Sequence, residues 1–429
     1  MTRLRTLAAV GAVVAATLLA APPAAAAPGP SGAPEYYFDD WNLYDLWDAG
    51  ARGQGVTIAE IDTGVNADLA ELRGRVVRGT DLGRRGDGRV DREVSAFGHG
   101  TAMASIMVAR PGLLGITGIA PDARILPIAV PLNGTTDAAK PDRLADAIRY
   151  GADHDAKVIS MSLGGKRSEG SDTESCPDEE QAAVFHALSK GAVVLASVGN
   201  SGPKRNAIEE PGVCLGVVSV GAVDAAGDVA DFSSRQPYLT LVAPGVRIPS
   251  LGRVAATAYS GDGTSQATAV ASAVAALVWS RHPTLTARAI VTRLLATLDT
   301  RGVRGHSEEY GYGRLDARRA VTADVPADAA NPVYDSATPF VRRAAALDHP
   351  ASVRPPVPVT GAPGSGRAEV GSVSRVDREV VLGAVAAAVG LVALLVLAVL
   401  GRRRRTRPAA APAAGPRPWP APSATDWSD

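Results

Sequence analysis

An α/β fold is what the sequence predicts: a doubly wound, mostly parallel sheet flanked by helices, followed by a single C-terminal transmembrane helix. Two observations predict the sheet. Short runs rich in β-branched residues, 56–59, 158–163 and 193–198, alternate with segments of helical composition, and that alternation is the mark of parallel strands joined by crossover helices. A third observation predicts the membrane helix. Val380 to Leu400 carries no charge and no proline, and about 20 such residues cross a bilayer core as a helix.

At the start, Arg3 and Arg5 precede an apolar run from Leu7 to Ala21, with small residues at Ala24 and Ala26. This order reads as a signal peptide over residues 1–26, and an uncleaved anchor is the plainer alternative. Residues 27–50 form an N-terminal extension whose aromatic segment, Tyr36 to Leu43, is expected to pack on the domain that follows. The globular part is assigned to 51–320.

Within it, Val56-Thr57-Ile58-Ala59 reads as a strand that brings Asp62 near its carboxyl end, where ligand sites of parallel sheets gather. Helices are expected over 99–110, 142–153, 178–190, 265–280 and 286–298. The segment 265–280 is apolar on nearly every turn and is therefore expected to be central.

Three segments carry chemistry: Ile61-Asp62-Thr63-Gly64, Gly98-His99-Gly100-Thr101 and Gly263-Thr264-Ser265. Taken singly they read as a strand exit or a helix cap. Together they supply an acid, an imidazole and a hydroxyl. A serine hydroxyl attacks a carbonyl only when a base takes its proton, and the imidazole works in one tautomer that a carboxylate can impose. Those roles fall to Ser265, His99 and Asp62. The strand 193–198 ends in Gly199-Asn200-Ser201-Gly202, which by itself signals only a turn.

The chain order Asp, His, Ser and these flanking residues resemble the subtilisin-like serine proteases, the subtilases, from about Val56 to Ala320. The resemblance implies that Asn200, with the Ser265 backbone N–H, forms the oxyanion hole. It also implies that Ser162, Leu163, Gly164 and Gly165, at the end of the 158–165 run, bind a protein or peptide substrate by strand addition, against the plainer reading of a core strand and turn. Two departures stand out. Ala267-Thr268-Ala269 and Ser272-Ala273 replace the usual proline and glycine of the family, and alanine suits a helix better than either. Glu60 stands where the family has an apolar residue, on the same strand face as Asp62. Once buried, its carboxyl must pair, protonate or face water.

Cys176 and Cys214 are the two cysteines of the 429-residue chain. An even pair in an exported protein reads as a disulfide, two buried thiols being the alternative that spacing alone does not exclude. His154, His186, His282, His306 and His349 lack the glycine-rich setting of His99 and read as surface residues. No spacing suggests a zinc site and no other cofactor is implied, while isolated loop aspartates do not define calcium sites. With 44 basic and 44 acidic residues the formal charge is zero, which gives no sign of a nucleic-acid partner.

Residues 321–378, rich in Pro, Ala, Gly and Ser, are expected to be a tether. The membrane helix is assigned to 379–401. Arg402 to Arg405 follow it directly, which places the tail 402–429 in the cytoplasm and the globular part outside. About thirty residues between the signal peptide and the first strand leave no room for a folded pro-domain. This architecture is similar to that of the mycosins, membrane-anchored subtilases associated with type VII secretion in actinobacteria. The resemblance implies either an endopeptidase acting on exported proteins or a structural component of a secretion complex that uses the fold for docking. The complete set of motif residues favours the first.

Overall fold

The computed structural model describes residues 35–348, apart from 113, 133, 136–142, 167–175 and 303. The expected signal peptide, membrane helix and cytoplasmic tail lie outside the described residues. Among the described residues, no helix is long and apolar enough to cross a membrane. Contacts divide the chain into 1–354 and 355–429, and every described residue belongs to the first unit.

Helices α1 (Tyr36–Asp40) and α2 (Leu43–Asp48) precede β1 (Thr57–Asp62) and the short β2 (Thr80–Asp81). Then α3 (His99–Val108) leads to β3 (Arg124–Ala129), and α4 (Leu144–Asp153) leads to β4 (Val158–Met161). A two-residue β5 (Gly165–Lys166), α5 (Asp178–Ser189) and β6 (Val193–Ser197) follow. After them come α6 (Gly202–Arg205), β7 (Glu209–Glu210), β8 (Val217–Val223), β9 (Leu241–Pro244), β10 (Ile248–Leu251) and β11 (Ala258–Gly261). The described chain closes with α7 (Thr264–Arg281), α8 (Ala287–Ala296), α9 (Ala317–Thr322) and α10 (Pro332–Asp348).

Seven strands form one sheet in the order β2-β3-β1-β4-β6-β8-β9, and all its ladders are parallel. Among the described strands, antiparallel ladders join β5 with β7 and β10 with β11. The expected doubly wound sheet is therefore present. From β1 the chain winds outward to β3 and then returns to the other side at β4, so the order reverses beside β1. That reversal opens a crevice beyond the carboxyl ends of β1 and β4.

Strand alternation assigns the two layers. Ala59 and Ile159 meet α4, where a Cβ on Gly151 would lie 2.9 Å from the Ala59 Cβ. Glu60 and Ser160 are paired in register and face the opposite layer, in which Ser272 of α7 bonds the Ser160 hydroxyl at 2.9 Å. Helix α7 buries all but three of its eighteen residues, because alanines and other small side chains let sheet and helix approach closely on every side. The replacements noted at Ala269 and Ala273 are fully buried within it.

The N-terminal aromatics pack as expected. Tyr37, Phe38, Trp41, Leu43 and Trp47 are buried, and the Trp47 indole N–H donates to the Ile119 carbonyl at 2.9 Å. One expectation is corrected. The segment assigned as tether from residue 321 is not coil throughout, because 332–348 is helix α10. Its start follows from local chemistry: Asn331 accepts from the Tyr334 N–H at 3.1 Å, and Pro332 occupies the first helical position, where no N–H is needed. Val333, Tyr334 and Ala337, on one helical face, are buried, and Phe340 stacks on Phe185 of α5 with ring centroids 5.7 Å apart. Composition suggested a coil, but one apolar stripe was enough to dock the segment.

Glu35 begins the N-terminal packing and accepts from the Thr117 N–H at 3.3 Å. Burial pushes its carboxyl up to about 8, more than that hydrogen bond lowers it. The folded state therefore holds a proton that the unfolded chain releases above the usual carboxylate range, so this group costs stability progressively as pH rises toward about 8. Glu35→Gln is expected to raise the melting temperature more at pH 8 than at pH 5. Thermal melts of the two proteins across that range check this, and an equal difference at both pH values would show that Glu35 folds ionised.

Candidate active site

Asp62 is the last residue of β1 and is fully buried. Both of its carboxylate oxygens lie 2.9 Å from His99 Nδ1, and Oδ1 also accepts from the Thr63 N–H at 2.7 Å. His99 opens α3 and its side chain keeps 27% exposure. Burial pulls the imidazole pKa down, but the charge and hydrogen bond of Asp62, with Glu93 and Asp91 behind it, outweigh this and raise it above the ordinary 6.5.

The first N–H groups of a helix have no partner within the helix, and Gly98 has no side chain with which to cap α3. Three side chains from the preceding loop do so instead. Glu93 accepts from His99 N–H, Thr63 Oγ1 from Gly100 N–H at 2.9 Å, and Asp91 from Thr101 N–H at 2.9 Å and its hydroxyl at 2.6 Å. Asp91 is buried and also accepts from the Thr63 hydroxyl at 2.9 Å. Sequence reasoning missed Asp91 and Glu93, because their partners are backbone groups that only the folded loop brings close.

Ser265 stands in the first turn of α7. Its hydroxyl donates to the Ser162 carbonyl at 2.8 Å, and the Ser162 hydroxyl donates to the Ser265 carbonyl at 2.9 Å. Asn200 lies across the same cleft with its amide oriented by Thr264, whose N–H and hydroxyl donate to Asn200 Oδ1 at 2.9 and 3.0 Å. Holding the oxygen turns the amide NH2 the other way, as a donor site requires. The structure thus gathers Asp62, His99, Asn200, Ser162 and Ser265 around one cleft of about 800 Å³. Strand β4 ends at Met161, so Ser162, Leu163 and Gly164 are irregular backbone at the rim, while Gly165 pairs with Glu210.

Cys176 and Cys214 are joined by a disulfide, their Cα atoms 4.7 Å apart, which ties the start of α5 to the loop before β8. They and Glu180 are the one cluster of potential metal ligands among the described residues, and the disulfide occupies both sulfurs. The other described histidines lie elsewhere: His154 bonds the Tyr150 carbonyl at 2.8 Å, His186 Asp153 at 2.7 Å, His282 the Val321 carbonyl at 2.9 Å and His306 the Leu239 carbonyl at 2.7 Å. His186 and His282 are half-buried, not fully on the surface.

The model of the subtilase family, Peptidase S8, matches residues 53–313. The chain belongs to the subtilases. It is 34% identical over 294 residues to a thermophilic serine proteinase of Bacillus sp. (strain AK1), covering 67% of each chain. Mycosin-3 of Mycobacterium tuberculosis is 32% identical over 364 residues, covering 70% of this chain and 75% of the relative. The solved structure of the MycP3 protease from the type VII (ESX-3) secretion system superposes with a TM-score of 0.59 at 29% identity. It covers 70% of this chain and 92% of that one. The chain is thus a subtilisin-like serine endopeptidase related to mycosins.

Glu60 is the departure with the largest electrostatic cost. It is 2% exposed, and neither carboxylate oxygen has a hydrogen-bond partner. Among the described residues it forms no ion pair, and it does not face water. Burial, then the charges of Asp62 and Asp91, push its pKa well up, and the nearby Ala104 N–H offsets this only weakly. Of the three options for a buried carboxyl, protonation is the one the geometry selects. The folded state then holds a proton the unfolded chain has lost, so stability falls as pH rises above the usual carboxylate range. Glu60→Gln removes that proton uptake, and its stability advantage over wild type is expected to widen by up to about 1.4 kcal/mol per pH unit between pH 5 and 8. Urea melts at several pH values measure it. A gap independent of pH would mean that Glu60 folds as the anion.

Proposed function

We propose that the protein is a membrane-anchored, extracytoplasmic endopeptidase of a type VII secretion system, cleaving exported proteins with a triad of Asp62, His99 and Ser265. The observation that carries the catalytic part is the Asp62 carboxylate clasping His99 Nδ1 at 2.9 Å through both oxygens, in the cleft that Ser265 lines. With Nδ1–H held by Asp62, the other ring nitrogen is the acceptor, as a general base requires.

The hydroxyl of Ser265 now donates to Ser162 O, so the nucleophile is parked. A substrate strand laid along Ser162 to Gly164 brings backbone N–H groups of its own. One of these, taking Ser162 O, releases the hydroxyl to turn toward His99. His99 then accepts the proton as Ser265 Oγ bonds to the substrate carbonyl carbon. Asn200 NH2 and the Ser265 N–H receive the negative oxygen. The imidazolium gives its proton to the leaving amine, the peptide bond breaks, and an acyl-enzyme remains. Water, deprotonated by His99, hydrolyses that ester and restores the serine.

The secretion role rests on relatives and on sequence. Mycosin-3 and the type VII protease MycP3 are similar to this chain over most of its described part. The charge-free run Val380 to Leu400 followed by four arginines supports a single-pass anchor with a cytoplasmic tail. A docking module without hydrolysis is the other reading, and a full set of site residues favours retained chemistry.

A serine-reactive fluorophosphonate is expected to label the wild-type protein. Ser265→Ala should abolish labelling and His99→Ala should reduce it by several orders of magnitude, the scale established for subtilisin itself. Labelling of either variant within about tenfold of wild type would sink the triad.

The raised His99 pKa sets the acid side of the pH profile. The base must be neutral, so kcat/KM should fall below a midpoint higher than 6.5. Asp62→Asn should move the midpoint down, because the carboxylate charge that stabilises the imidazolium is gone. Initial rates on a peptide substrate between pH 5 and 9 test this, and a midpoint unmoved by Asp62→Asn would contradict the pairing.

A further inference from the structure

Beyond Ser265 the cleft continues between two backbone walls, Ser162 to Gly164 and Ser197 to Gly199. Both walls end in glycine, and one group fills the place of both missing side chains. A Cβ on Gly164 would lie 2.2 Å from Glu209 Oε2, and a Cβ on Gly199 would lie 2.4 Å from Glu209 Cδ and 2.6 Å from Oε1. Any larger residue on either wall would displace that carboxylate. Glu209 is 8% exposed yet lines the cleft. Its position is fixed, since its N–H donates to the Tyr238 hydroxyl at 3.0 Å and β7 pairs with β5. Glu180 and Glu210 line the same cavity, with Arg205 as the described cation among the lining residues. By backbone register Lys166 stands opposite Glu209.

We propose that this slot receives the side chain of the residue whose carbonyl Ser265 attacks, and that Glu209 at its floor selects lysine or arginine there. The inference rests on the proposed role of Ser265 and adds the class of bond that is cleaved. When a substrate N–H takes Ser162 O, the side chain of that same residue is directed between the two walls. The two backbone walls would flank a long, unbranched stem, and the stem would end at a carboxylate shielded from bulk water, for which the glycines at the wall ends leave room. There a charge-assisted hydrogen bond is stronger than at the surface. An apolar side chain would make no such bond, so lysine and arginine are the side chains favoured.

The test uses the full chain in detergent and two fluorogenic peptides that differ only in lysine or leucine before the scissile bond. The wild type is expected to favour lysine in kcat/KM by about 100-fold, and Glu209→Gln to reduce that ratio by about the same factor, as truncating one partner of a buried charge pair does. A wild-type ratio of one or less overturns the inference, as does a ratio unchanged in Glu209→Gln. Should Glu209→Gln fail to fold, the wild-type ratio decides alone, supported by competition of fluorophosphonate labelling with peptide aldehydes ending in arginine or leucine. Labelling without basic preference would defeat this inference and leave the triad standing. Absence of labelling would defeat the triad and this inference with it.

Discussion

The catalytic cleft depends on how the first turn of α3 is held. His99 reaches Asp62 only if that helix begins at one position and one angle, and its three exposed N–H groups are what Glu93, Thr63 and Asp91 grip. Burial pushes the Asp91 pKa up even though four hydrogen bonds, two with Thr101 and one each with Glu93 and Thr63, draw it down. A carboxylate in that position loses water and regains donors, so it stays only while every donor stays. The loop 63–93 and the helix are therefore one mechanical unit. That unit, more than the helix propensity of a Gly-rich start, orients the imidazole.

The proposed nucleophile is held by a different principle. Ser265 stands in the first turn of α7, which buries fifteen of its eighteen residues, and α7 is pinned to the sheet by hydroxyl pairs, Ser272 to Ser160 at 2.9 Å and Thr268 to Ser197 at 3.2 Å. Small residues fill the rest of the contact, leaving little freedom to slide. Asn200 enters the same arrangement through Thr264, one residue before Ser265. Asp62 and His99 are thus set by a hydrogen-bonded loop, and Ser265 and Asn200 by a close-packed core. They meet at the sheet's order reversal because that is where the carboxyl ends of β1, β4 and β6 open together.

Much of this was legible in the sequence, for a physical reason. Residues that must approach a substrate backbone sit among glycines, and Asp62-Thr63-Gly64, Gly98-His99-Gly100 and Gly199-Asn200 announce themselves by that need. Strands β1, β4 and β6 were legible because strands buried on both faces read as continuous apolar runs. What escaped was whatever depends on a partner remote in sequence. Asp91 looked like one of many loop acids. Glu209, in Glu209-Glu210-Pro211-Gly212, drew no notice, although Gly164 and Gly199 make room for it. Helix α10 was hidden by composition, while the local signal of Asn331 before Pro332 was present and went unused.

Glu60 shows how a local conflict is resolved by its neighbour. Two carboxyls two residues apart on one buried strand face cannot both carry charge cheaply. Asp62 accepts from His99 and Thr63, whereas the oxygens of Glu60 make no hydrogen bond and have only the Ala104 N–H nearby. The proton therefore goes to Glu60. A neutral carboxylic acid there adds no negative charge behind Asp62, so the imidazole is not driven further toward the cation. Were Glu60 to ionise, the His99 pKa would rise again and the base would be lost over more of the neutral range. A residue that costs folding energy is thus tolerated on one condition, that burial keeps it protonated, and the apolar surroundings that create the cost also enforce the condition.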